Sequence, residues 1–310
     1  MEAVQLSGAL KPLEWHYYKI YVGGNHDALD FVITDCLASA LTLVESGNWF
    51  YLRYFDEGGL HLRLRVHLHG GEGSAQEREF YHQLHDGLSL LSQRVPSTYV
   101  PLVSFDGYSV LSSGEDSSIY CCRDRYIAEL DVFGGEHGMP IAEEVFCLSS
   151  DIAREVLLRE SQAELSRKDA VLPFFVETLQ IFLSEDACAE FLERYSTFWL
   201  SGNPDIGNYK SAFIDKANAM LDANEAIVPP TQSQHPSMAT LITRWHKAMR
   251  NARERYKKEC PLYTPMLADT LAFYFAHLMN NRLGFTTLDE SYLAILLAKT
   301  YERGLHHASA

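Results

Sequence analysis

Basic residues are scarce in this chain. Lys and Arg number 26 against 41 Asp and Glu, a formal net charge of −15 over 310 residues. That balance repels phosphate and excludes a nucleic-acid binder that works through general positive charge. Long hydrophobic runs are missing too: no stretch reaches the ~18 apolar residues that a spanning helix needs. Met1 to Leu10 carries Glu2 and no basic n-region, so no export signal is read there. Cysteine is sparse. Cys36, Cys121, Cys122, Cys147, Cys188 and Cys260 form no CxxC pair and read as the reduced thiols of a cytoplasmic protein. GxSxG, GxGxxG, P-loop and HExxH motifs are absent.

Apolar residues are not lacking. They make up 47% of the chain against 22% charged, enough buried surface to offset chain entropy and exclude disorder as the main state. The length suits one large domain or two closely packed halves. Residues 15–22 (WHYYKIYV) are aromatic and β-branched and close on Gly23, Gly24 and Asn25, which predicts a strand and turn. Residues 26–46 show helical spacing. Residues 49–54 and 60–68, joined by Asp56, Glu57, Gly58 and Gly59, predict a hairpin. A helix is expected over 75–91, and strands over 99–105 and 119–130. Beyond Gly134 and Gly135 the pattern turns helical: 141–148 with Pro140 at its start, then 151–165, 173–183, 187–200, 238–258, 266–282 and 290–303. Residues 201–237 read as a long connection. The expected fold class is α+β: a mainly antiparallel sheet with flanking helices over 1–140, and a helical half over 141–310 packed on it, within one domain.

The sharpest feature is LHLRLRVHLH, residues 60–69. A strand sends alternate side chains to opposite faces. Leu60, Leu62, Leu64, Val66 and Leu68 share one face, which must pack on a core. His61, Arg63, Arg65, His67 and His69 share the other. Arg63 and Arg65 lie roughly 6.5–7 Å apart along such a strand, a spacing that suits two carboxylates or one carboxylate and a developing oxyanion. A solvated face whose arginines pair with local acids is the plainer alternative. Five basic or potentially basic groups with no acid between them point instead to an anionic partner. No acid or Cys follows His67 and His69 at ligand spacing, so a metal is not expected.

At this strand the sequence resembles a known family. WFYLRYFDEGGLHLRLR, residues 49–65, is similar to the "fxRYxDpxxHlRLR" signature of the thiopeptide-type bacteriocin biosynthesis family, which includes the C-terminal elimination domain of lantibiotic dehydratases. WHYYKIY (15–21) resembles its opening "WxyxkiY". YIAE (126–129), FGG (133–135) and AE (142–143) resemble "YxxExxRYGG…mxxaExxF". HLMNNRLG (277–284) resembles "HMxxNRlxG". The four stretches run in order along nearly the whole chain.

The resemblance implies a stand-alone elimination module in the maturation of a ribosomally made precursor peptide. A separate protein glutamylates Ser or Thr using glutamyl-tRNA. The module then expels glutamate to leave dehydroalanine or dehydrobutyrine. A divergent branch joins two dehydroalanines by formal [4+2] cycloaddition into the nitrogen heterocycle of thiopeptides. A non-catalytic peptide- or enzyme-binding partner is the third possibility. By the resemblance, His277 is the proton-transfer residue, Arg63 and Arg65 clamp the departing carboxylate, and Glu129 is the family's acid. Arg125, Tyr126, His61 and Arg282 complete the expected substrate-binding set. The family's elimination domains carry Arg three residues after the acid. Here that position is Val132, and Arg125 or Arg123 is the expected substitute. Neither reaction calls for a redox cofactor or a metal. Expected partners are the precursor peptide and the glutamylating protein, with a homodimer possible and no direct contact with nucleic acid or membrane.

Overall fold

The protein is described by a computed structural model covering residues 13–22, 26–45, 47–94, 119–202, 204–223 and 236–304. The described residues divide into two compact units, one ending at Ile127 and one running from Ala128 onward.

The first unit is built on four antiparallel strands, β1 (Leu13–Tyr21), β2 (Trp49–Asp56), β3 (Gly59–His69) and β4 (Tyr120–Asp124), in spatial order β2-β3-β1-β4. β2 and β3 meet in the expected hairpin, with Asp56 opposite Gly59. Gly59 takes φ +103° there, and a Cβ on Gly58 would lie 2.6 Å from the Tyr21 ring, so the tip of the hairpin needs both glycines. The alternation along β3 holds on its aliphatic side: Leu60, Leu62, Leu64, Val66 and Leu68 are all buried. Tyr18 of β1, paired with Leu64, shares that side and packs on Phe80 with ring centroids 5.6 Å apart. Phe80 belongs to α3 (Ala75–Arg94), whose apolar stripe continues through Leu84, Leu88 and Leu91.

The stretch from His26 is helical but not one helix. It runs as α1 (His26–Phe31), a π-helical turn (Val32–Cys36) and α2 (Ala38–Leu41). A pair between buried Arg53 and half-buried Asp30, at 2.5 Å, ties α1 to β2. The strand expected over 119–130 ends at Asp124. Residues 125–129 are irregular, and Leu130 to Gly134 form a turn that leads into a helix. Residues 99–105, read as a strand, lie outside the described residues.

The second unit is helical: α4 (Gly135–Ser161), α5 (Arg167–Phe182), α6 (Glu185–Leu200), α7 (Ile206–Asp222), α8 (Pro236–Glu259), α9 (Pro265–Leu283) and α10 (Thr287–Glu302). The two helices expected on either side of residue 150 are one, α4, with Pro140 inside its second turn rather than at its start. α7 corrects the reading of 201–237 as a connection. Its Ala217 and Leu221 pack on Ile295 and Leu296 of α10, so a short apolar seam stabilises a segment whose Asn- and Gly-containing sequence looks loop-like. The core is aromatic. Trp245 donates its indole N–H to Thr178 Oγ1 at 3.1 Å, and Tyr256 donates to the Gly138 carbonyl at 2.9 Å.

Candidate functional site

The candidate residues fall on both units. On the sheet unit, the face of β3 opposite its aliphatic side is neither a bare cationic strip nor a solvated one. Pairing sets Trp15, Tyr17, Lys19 and Tyr21 of β1 beside His67, Arg65, Arg63 and His61, and Phe50, Leu52 and Tyr54 of β2 beside Arg65, Arg63 and His61. One ring packs on Arg63 and three surround Arg65. The Arg63 guanidinium lies 3.3 Å from the centroid of Tyr54, and that of Arg65 lies 4.4 Å from Tyr17, 5.3 Å from Phe50 and 5.7 Å from Tyr126. His67 stacks on Trp15 at 4.0 Å. Cation–π contact holds a guanidinium in place without consuming its charge or its N–H donors.

The acids on this face are engaged elsewhere. Lys19 reaches Asp124 at 2.9 Å and Asp56 at 3.8 Å, and Tyr21 donates to Asp56 at 3.1 Å. The hydrogen bond from Lys19 holds the Asp124 carboxyl below its ordinary range. Among the described residues no carboxylate lies within 4 Å of the Arg63 guanidinium, and its Nε is buried without an acceptor.

His61, expected to touch substrate, has no exposed surface. It is covered by Tyr21 at 4.5 Å and Tyr54 at 5.6 Å, and its Nδ1 lies 3.0 Å from the Gly59 carbonyl. Burial pushes its imidazole below the ordinary histidine range, so it is a neutral packing residue. Tyr126 packs on Trp15 and Phe50. Arg125 is exposed at an open cleft of about 520 Å³ lined also by Trp15, His16, Arg123, Asp124 and Tyr126. Arg125 and Glu129 lie on no common strand, because β4 stops at Asp124. Arg123 is not available as the missing guanidinium. It points to the helix-covered side and meets Glu77 at 2.5 Å. Burial raises the Glu77 carboxyl, but the hydrogen bonds from Tyr18 and Arg123 outweigh it, and the net shift is downward.

On the helical unit, His277 lies on α9. Local signals fix both helices around it. Thr264 caps α9 with Pro265 at its first position, Gly284 ends it at φ +91°, and Thr286 and Asp289 form a capping box that starts α10. The short connection lets α10 bring Glu290 to within 2.9 Å of His277 Nδ1. Glu290 is fully buried, and it also accepts hydrogen bonds from the Tyr195 hydroxyl of α6 and from Asn280 Nδ2 at 3.4 Å. The His277 ring stacks on Trp199 at 4.3 Å and keeps 18% of its side chain exposed. With the carboxylate as acceptor, Nδ1 carries the proton and the lone pair sits on Nε2. A buried acid behind, an aromatic wall beside and a partly exposed ring suit an imidazole that moves a proton.

Sequence reasoning singled out Glu129 as the acid and passed over Glu290. Glu129 is exposed, and its carbonyl accepts the turn bonds from Val132 and Phe133. Glu290 looks like a solvated acid in the first turn of a helix. The available signal was its place on the apolar stripe with Leu293, Ala294 and Leu297. Arg282, expected to bind substrate, is buried and donates to Ser150 Oγ and the Leu278 carbonyl, each at 3.0 Å, so it braces α9 against α4. Cys36, Cys147, Cys188 and Cys260 are buried, and burial pushes the Cys121 thiol up to about 12 and the Cys122 thiol upward, which disfavours the thiolate at both. No group of metal ligands occurs among the described residues, and none of their helices is long and apolar enough to cross a membrane.

A comparison with curated proteins returns no match. Solved structures with a similar fold include the tRNA-dependent lantibiotic dehydratase MibB from Microbispora sp. 107891, at 15% identity and a TM-score of 0.58. That match covers 99% of this chain but only 29% of MibB, so this chain corresponds to under a third of that protein's length. The pyridine synthase TbtD from thiomuracin biosynthesis is 16% identical with a TM-score of 0.58, over 95% of this chain and 99% of TbtD. TsrL is 15% identical with a TM-score of 0.55, over 94% and 95% of the two chains. The family described as the C-terminal part of the lantibiotic biosynthesis dehydratases matches residues 15–301. That span includes both the cation-bearing strand and the oriented imidazole, and this chain belongs to that family.

Proposed function

We propose that the chain modifies a ribosomally made precursor peptide, and that its reaction is the elimination of glutamate from O-glutamyl Ser or Thr. The observation that carries this reading is the His277–Glu290 pair. Neutral Nε2 takes the Cα proton of the esterified residue. The electron pair released forms the Cα–Cβ double bond, the Cβ–O bond breaks, and glutamate departs as a carboxylate. The imidazolium that results is balanced by Glu290 until the proton returns to water. On the sheet unit, the Arg63 guanidinium, held on Tyr54 and without a carboxylate partner among the described residues, suits a carboxylate ligand. The glutamyl ester would come from a glutamyl-tRNA-dependent glutamylation step.

One observation favours a second reading. Val132 occupies the position where elimination domains of the family carry Arg, and Arg123 is engaged by Glu77. A pocket with one guanidinium fewer suits a substrate without free carboxylates, such as two dehydroalanines joined by [4+2] cycloaddition. There the same oriented imidazole would move the proton of an amide tautomerisation.

The test is incubation with an O-glutamylated peptide and, in parallel, with a peptide carrying two preformed dehydroalanines, each followed by mass spectrometry. Free glutamate with a matching dehydro residue supports elimination. A persistent glutamyl adduct together with a cyclised second peptide supports the cycloaddition. If both peptides return unchanged, the catalytic reading is lost.

A further inference from the structure

The chain's acids outnumber its bases, yet one surface element reverses the balance. α8 carries Arg244, Lys247, Arg250, Arg253, Arg255, Lys257 and Lys258 against Glu254 and Glu259. Its buried side is Leu241, Ile242, Trp245, Met249, Ala252 and Tyr256. Apart from Arg253, which lies 3.9 Å from Glu254, the cations divide into two sets. Those flanking the buried side answer acids of their own unit: Arg244 pairs with Glu155 at 2.6 Å and Arg255 with Glu144 at 2.5 Å, both on α4.

Three cations of the outer face do not. At 100° per residue, Lys247, Arg250, Asn251, Glu254, Lys257 and Lys258 fall within an arc of about 120°, and Lys247 to Lys258 spans about 16 Å of helix. All six are exposed. Lys257 meets Glu254 at 3.1 Å. Among the described residues, no carboxylate lies within 4 Å of Lys247, Arg250 or Lys258. Like charges along one helix face repel, and an anion bound across this stripe would relieve that repulsion.

We propose that the outer face of α8 docks an acidic segment of the peptide substrate, outside the residues that react. This rests on the reading of the chain as a peptide-modifying enzyme. Two observations favour carboxylates over a phosphate backbone. Glu254 sits in the middle of the stripe, where it would face a continuous polyanion, and the net charge of −15 repels a long nucleic acid. A short peptide places separate carboxylates on Lys247, Arg250 and Lys258 and leaves Glu254 to its own partners.

The experiment is fluorescence anisotropy with a labelled Glu/Gly peptide, using the whole chain and the triple variant Lys247→Glu, Arg250→Glu, Lys258→Glu. The expected result is salt-sensitive binding that weakens about tenfold or more in the triple variant, with no binding of the Gln/Gly counterpart. The Gln triple variant should give a smaller loss, and it serves if the charge-reversed protein fails to fold. Equal binding of the Gln/Gly peptide, or no effect of either triple variant, overturns the proposal. Tighter binding of single-stranded RNA of equal charge assigns the stripe to nucleic acid and also overturns it. Self-association of the free chain that disappears on charge reversal, without peptide binding, assigns it to a second copy. Because binding is read without turnover, failure here is distinguishable from failure of the proposed reaction. Where turnover is seen, the triple variant should raise KM for a substrate bearing the acidic segment, leave its kcat unchanged, and leave a substrate lacking the segment unaffected.

Discussion

Replacing Glu290 by Gln tests the oriented-base reading with little change of volume. The carboxylate accepts from His277 Nδ1, from the Tyr195 hydroxyl and from Asn280. A carboxamide has one oxygen and a donor NH2 in place of the second oxygen. His277 then meets either the NH2, which leaves Nδ1–H without an acceptor or moves the proton to Nε2, or the amide oxygen, which keeps the tautomer but offers a neutral acceptor that no longer balances an imidazolium. Each weakens the base. A hydrogen bond to a charged group is worth about 1.5–3 kcal/mol, which corresponds to a fall in kcat of about ten- to 150-fold. KM should stay near the wild-type value, because Glu290 is buried and does not meet the peptide. Stability should move by no more than about 1 kcal/mol, since removing a buried charge offsets the poorer hydrogen bonding. The assay is product formation by mass spectrometry under saturating substrate, with thermal unfolding measured on the same samples. Wild-type kcat in Glu290→Gln would refute the argument. So would an activity loss that simply follows a loss of folded protein. Glu290→Ala should behave differently. It strands three donors and should cost about 3–5 kcal/mol of stability.

Arg63→Lys keeps the charge but loses the planar stacking on Tyr54 and the fork geometry. It should raise KM for a glutamylated peptide about tenfold while leaving thermal stability within about 0.5 kcal/mol, and unchanged steady-state kinetics would remove Arg63 from the site. Acid stability offers a separate check. Burial lowers the folded-state pKa of His61, so the unfolded chain binds its proton first as pH falls below about 6.5. His61 therefore adds up to about 1.4 kcal/mol per pH unit of stability loss between that value and its lower folded pKa. His61→Phe should flatten this part of the stability–pH curve in urea titrations, and an unaltered slope would count against a buried neutral ring. Gly87→Ala brings a Cβ to 2.1 Å from the Cys36 carbonyl oxygen. The helix must move away from the π-helical turn, with a cost of at least about 2 kcal/mol. A variant as stable as wild type by denaturant unfolding would show that this contact is not close.

Much of the framework was legible in the sequence because it depends on neighbours along the chain. Alternation over residues 60–69 separates a core face from a cationic face at every second residue, whatever else the strand touches. The caps at Thr264, Gly284 and Thr286 act within four residues, so the ends of α9 and α10 follow from local bonds. The helical turn at Val32–Cys36 and the extent of α4 across Pro140 were less legible, since packing decided how helical periodicity is divided.

The tertiary structure alone decided which charged groups are sealed in packing and which keep an open side. No spacing rule separates His61, sealed under two tyrosines, from Arg63, two residues on and without a carboxylate within 4 Å among the described residues. No local pattern sends Arg282 to Ser150 or Arg123 to Glu77. Above all, Glu290 becomes the partner of His277 only because α6, α9 and α10 converge on it and remove it from water. Propensity and alternation are set by the backbone over a few residues. The protonation and orientation of a side chain are set by whatever the fold brings within 3 Å, and such contacts come from residues far apart in the chain.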